Sequence, residues 1–76
     1  MRKPDATIKR RCHAELERVF GDHVNCAHTC GFATRQTLDW FDEFGLPSPT
    51  SLGILDQYGV DIYYILTGKR VVNTDV

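Results

Sequence analysis

Arg35, Gln36 and Asp39 fall within five residues of one another and carry the side-chain groups that read base edges in duplex DNA. Arginine matches the paired acceptors of guanine, glutamine the donor and acceptor of adenine, and a carboxylate accepts from the cytosine amino group. Asp39 has a second possible use, repelling phosphates and so limiting non-specific binding. A purely structural helix with a wet surface would tolerate the same three residues.

Phosphate chemistry needs cations, and these concentrate at the start of the chain. Residues 1–18 hold six basic side chains (Arg2, Lys3, Lys9, Arg10, Arg11, Arg18) against three acidic ones, although the net charge is −1. A local basic patch serves phosphate binding even in a domain that is neutral overall. Lys9 and Arg10 are the candidates for backbone contacts. The alternative is that Lys9-Arg10-Arg11 is a solvated helix face.

Other chemistry is less well supplied. His23, Cys26 and Cys30 lie at helical spacing, with Cys12 and His13 one helix away. Zinc takes such ligands, but structural sites favour Cys-x2-Cys knuckles over Cys-x3-Cys along a helix. Cysteine also packs well as a small apolar residue, so no metal is expected, and His13 and His28 are read as surface residues. Three cysteines without secretory context argue against a disulfide framework. A catalytic thiolate needs an oriented base and an oxyanion site. No third group is in evidence, so neither an enzyme nor a cofactor is expected.

The elements that must position these residues are helices. Asp5 caps a first helix in which Ile8, Cys12, Leu16 and Val19-Phe20 recur at helical spacing, and Gly21 ends it. Asp22 caps a second from His23 to Cys30, closed by Gly31, whose apolar positions Cys26, Ala27 and Cys30 are all small. Phe32-Ala33 makes a turn, and Thr34 is the expected N-cap of a third helix reaching about Phe44, with Gly45 and Pro47 beyond it. Ser48-Pro49 opens a fourth helix to Tyr58. Asp61 caps a last one, Ile62–Thr67, before Gly68. Val71-Val72 is the only candidate edge strand.

The expected fold class is therefore all-α, a single five-helix domain over residues 1–70 with a short tail, 71–76. Residues 5–20 form the first helix, 22–44 the pair joined by a glycine turn, and 48–68 the C-terminal helices. The composition, 42% hydrophobic and 25% charged, fits a folded domain rather than a disordered chain. No apolar run approaches the ~18 residues that cross a bilayer, and the basic N-terminus lacks the apolar stretch of a secretory signal. A cytoplasmic location without membrane contact is expected.

Two short helices joined by a glycine-containing turn form a helix-turn-helix, whose second helix enters the major groove. Residues 22–70 resemble the helix-turn-helix domain of bacteriophage repressors and related Xre-type regulators. His23–Phe32, HVNCAHTCGF, is similar to that family's second helix and turn. Trp40 and Pro47 fall at the family's usual distances from Gly31. Residues 59–69, GVDIYYILTGK, resemble the family's ending "GVSLDWLLTGE". The similarity covers about two-thirds of the chain.

What the resemblance implies is a λ-repressor-like domain that regulates transcription, single-domain in the manner of Cro. His23 then matches a position that touches the phosphate backbone, and Thr34, Arg35 and Gln36 match the start of the recognition helix. The sequence departs from the family at position 37, where an aliphatic residue is usual. Either Thr37 is buried beside Trp40, or the turn is one residue longer and Leu38 and Phe41 face the core.

The function expected is that of a homodimer binding double-stranded operator DNA, without a small-molecule substrate, paired through Ile62, Tyr63 and Tyr64. The competing reading keeps the fold and makes the acidic, aromatic third helix a protein-docking face, as in an adaptor or antirepressor. An exposed Trp40 would favour that alternative, and a positive stripe from the first helix to the third would favour DNA.

Overall fold

The computed structural model describes residues 6–42 and 45–70. Five helices follow one another: α1 (Ala6–Phe20), α2 (His23–Cys30), α3 (Thr34–Phe41), α4 (Pro49–Gln57) and α5 (Ile62–Thr67). Among the described residues there is no strand. The expected cap Asp5 and the candidate strand Val71-Val72 lie outside them.

Local chemistry accounts for most of the boundaries. Asp22 accepts from the Asn25 N–H at 2.8 Å, Ser48 from Ser51 at 3.2 Å and Asp61 from Tyr64 at 2.9 Å. Each such cap is worth about 1 kcal/mol. The turn after α2 reverses through Gly31, whose φ of 79° is open to glycine and strained for other residues.

α3 departs from its expected limits at both ends. Ala33, which has no capping side chain, stands at the N-cap, and Thr34 is the first helical residue. At the other end the helix closes at Phe41, with Asp42 as C-cap; Glu43 and Phe44 are outside the described residues. Gly45 returns to close the last turn, its N–H donating to the Asp39 carbonyl at 3.0 Å. A Cβ at Gly45 would lie 2.3 Å from that carbonyl oxygen, so space, not backbone angle, requires glycine there.

α1 is the hub. Its buried Cys12, Leu16 and Phe20 meet Cys26 of α2, Trp40 of α3, Leu55 of α4, Val60 of the α4–α5 connection and Ile65 of α5 in one core. A fully buried leucine contributes about 1.5–3 kcal/mol, and Leu16 and Leu55 are both wholly enclosed. Small side chains at Cys26 and Ala27 let α2 approach closely. Burial raises the Cys12 thiol to about 11 and, helped by neighbouring Cys30, the Cys26 thiol to about 12. Both stay protonated near neutral pH and pack as apolar groups.

Candidate functional site

α2 and α3 pack against each other across the Gly31-Phe32-Ala33 turn. Thr37 settles the register of α3. It is completely buried, and its hydroxyl lies 2.9 Å from the His23 carbonyl and 3.1 Å from that of Thr34, tying the first turn of α2 to the inner face of α3. Trp40, one turn later, is 3% exposed with its indole edge-to-face against Phe32, centroids 4.8 Å apart. Leu38 is therefore on the outside, 48% exposed.

That register turns Arg35, Gln36 and Asp39 to solvent. None of their side chains has a hydrogen-bond or ion-pair partner among the described residues. Thr34 is exposed at the start of the same helix. His23, half-buried at the start of α2, lies edge-on to Phe41 at 6.3 Å. Its Nδ1 is enclosed without a partner. His13, its side chain 42% exposed, also lies edge-on to Phe41, at 5.6 Å, and approaches Glu17. An open concavity lined by Ala27, His28, Gly31, Phe32 and Thr34 runs beside the turn.

The basic helix is used differently from its sequence reading. Lys9 is 8% exposed, and its ammonium donates to the Trp40 carbonyl in the last turn of α3. Burial lowers its pKa, opposed by the fields of Cys12, Asp42 and Asp39. As a phosphate ligand Lys9 is thus excluded, because its charge is already committed to a helix C-terminus. Arg11 does the same for α5, donating to the Ile65 carbonyl at 2.9 Å and to that of Leu66 at 3.2 Å. Arg18 bonds Glu15 and the Gly59 carbonyl. Cations at helix C-termini satisfy orphan carbonyls and complement the helix dipole. Arg10 remains exposed, its side chain without a partner among the described residues. Among the described residues, Lys9, Arg11 and Arg18 are engaged within the fold, which leaves Arg10 on α1 and Arg35 on α3 as the exposed cations without a partner on those two helices.

Glu15 is a feature that the sequence reading missed. It is 1% exposed, yet ionised. It accepts from Arg18 Nε at 3.1 Å, Arg70 Nη2 at 3.0 Å and the Asp61 N–H at 3.0 Å. Burial alone would raise its pKa. The bonds from Arg18, Arg70 and Asp61 outweigh that and bring it to about 2. The only sequence signal was Glu15 falling on the apolar face of α1, one residue before Leu16.

Of the dimer candidates, Ile62 packs partly against the core, and Tyr64 lies half-buried beneath the Arg70 guanidinium, 4.0 Å from its ring centre. Tyr63 alone is open, with Leu66 exposed one turn on. Among the described residues no three His, Cys, Asp or Glu side chains converge on a metal position, and no helix is long and apolar enough to cross a membrane.

The fold defines a small all-α domain of five helices. No protein-family model, curated protein or solved structure matches the chain.

Proposed function

We propose that this domain is a sequence-specific DNA-binding regulator of the phage-repressor or Cro-like kind, with a λ-repressor-like arrangement of helices. The observation that carries the reading is the α2–turn–α3 unit. The inner face of α3 is pinned by Thr37, Trp40 and the Lys9 bond, while its outer face presents Arg35, Gln36 and Asp39 unpartnered. A recognition helix needs that division, a rigid back and a polar front at major-groove depth. Phosphate contacts then fall to His23, Thr34 and Arg10. Two copies, paired through Tyr63, Leu66 and the exposed edge of Ile62, read an inverted repeat. The docking alternative loses its main aromatic anchor, because Trp40 is buried.

Selection from a random duplex library, followed by sequencing, tests the reading directly. A palindromic motif is expected. Arg35→Ala and Gln36→Ala should each relax preference at one position per half-site, by roughly five- to a hundredfold (1–3 kcal/mol). Unchanged preference in both variants rejects the assignment.

Salt dependence separates Lys9 from Arg10. Each phosphate neutralised contributes about 0.9 to the slope of log K against log salt. Arg10→Ala should flatten the slope by about that amount per protomer. Lys9→Met should leave it unchanged, and an equal flattening in both would return Lys9 to the phosphate set.

A further inference from the structure

Leu38 is a large apolar side chain, half exposed, on an outer face of α3 that otherwise carries Thr34, Arg35, Gln36 and Asp39, with half-buried Phe41 one turn further on. Residues on a helix advance by about 100°, so Leu38 lies ~60° from Arg35 and ~40° from Thr34 around the axis. It shares the outward side of α3 with both, one turn further along. The core does not use it, since Thr37 and Trp40 take the inner face. The Gly45 closure at Asp39 and the Lys9 bond at Trp40 hold the turn that carries it.

In the major groove one apolar group is available to such a side chain, the C5 methyl of thymine. The carbon-bound hydrogens of deoxyribose are present at every nucleotide, so a leucine packed on them gains no sequence preference. Arginine, glutamine and aspartate make hydrogen bonds to base edges and leave a methyl unrecognised. We infer that Leu38 is a specificity-determining residue that recognises a pyrimidine 5-methyl group beside the base read by Arg35. This rests on the DNA-binding reading and adds to it a ligand group that Arg35, Gln36 and Asp39 do not read. The contact covers one methyl group, a gain of roughly fourfold in affinity.

The probe is the duplex recovered by selection, resynthesised with deoxyuridine in place of each thymidine in turn, which removes the methyl group and no hydrogen-bonding atom. For the parent protein, one thymine per half-site should give about a fourfold loss. Leu38→Ala should bind the parent duplex more weakly by a similar factor and be indifferent to deoxyuridine at that position. The coupling between protein and DNA changes isolates this contact from any general effect on the fold. Deoxyuridine without effect anywhere, or a loss that persists in Leu38→Ala, overturns the inference while leaving the DNA reading intact. If selection enriches no sequence, both fall together.

Discussion

Replacing Glu15 with alanine is expected to lower the melting temperature by roughly 15–20 °C, measured by circular dichroism at pH 7. Removing one partner from a buried ion pair costs about 3–5 kcal/mol. The lower end applies here, because Arg18 and Arg70 are half exposed and regain water once the carboxylate is gone. What stays unsatisfied is the Asp61 N–H at the entrance to α5, a loss that water cannot easily repair. A domain of this size has total stability of about 4–11 kcal/mol, and about 3 kcal/mol moves its midpoint by the stated amount. Unchanged melting would mean that Glu15 does not hold α1 to α5.

The same carboxylate sets an acid limit. Its pKa falls from an ordinary 4.5 to about 2 on folding, so between these values the unfolded chain binds the proton and the folded one does not. Stability is therefore complete above about pH 4.5 and drains away as pH falls toward 2. The total is about 3 kcal/mol at 1.36 kcal/mol per pH unit. Glu15→Gln should start less stable and lose this part of the acid dependence. Urea midpoints of both proteins at pH 6, 4 and 3 check the claim; parallel curves would remove Glu15 as the cause.

Why the helices were legible and their side-chain traffic was not follows from distance along the chain. Asp22, Ser48-Pro49 and Asp61 act within three residues, and Gly31 and Gly68 end helices by their own conformation. Such signals survive in one dimension. Lys9 bonds a carbonyl 31 residues away, Arg18 one at 41 and Arg11 one at 54. A run of cations in sequence therefore looked like a binding face, although Lys9 and Arg11 serve as caps for other helices and Arg18 bonds a loop carbonyl. The register of α3 was open for a different reason. Hydrophobicity alone favours burying Leu38, and the carbonyls of His23 and Thr34 let Thr37 go inside with its hydroxyl satisfied. The N-cap expected of Thr34 failed similarly, since the sequence offers a good capping residue one position too late for the turn that forms. Arg35 and Gln36 were readable because either register left them outside; the exposure of Asp39 and Leu38 depended on the register.

Trp40→Ala is expected to destabilise the domain by about 3–5 kcal/mol, the range for removing a large buried aromatic. Trp40 is nearly enclosed, its indole meets Phe32 edge-on, and its carbonyl receives the Lys9 ammonium. It thus joins the α2–α3 turn to α1 at one residue. Truncation opens a cavity beneath the turn and removes an aromatic pair worth about 0.5–1.5 kcal/mol beyond its burial. Trp40→Phe keeps a ring near Phe32 and should cost less than about 2 kcal/mol. Urea unfolding followed by circular dichroism measures both without relying on the tryptophan itself. The comparison also tests whether Trp40 itself serves as a docking anchor. A docking anchor would leave stability unchanged in Trp40→Ala and lose only a partner, whereas a core residue behind a recognition face loses the fold first. With the back of α3 softened, Arg35 and Gln36 keep their chemistry but not their fixed spacing. Sequence preference in Trp40→Phe should accordingly weaken before its affinity for non-specific DNA does.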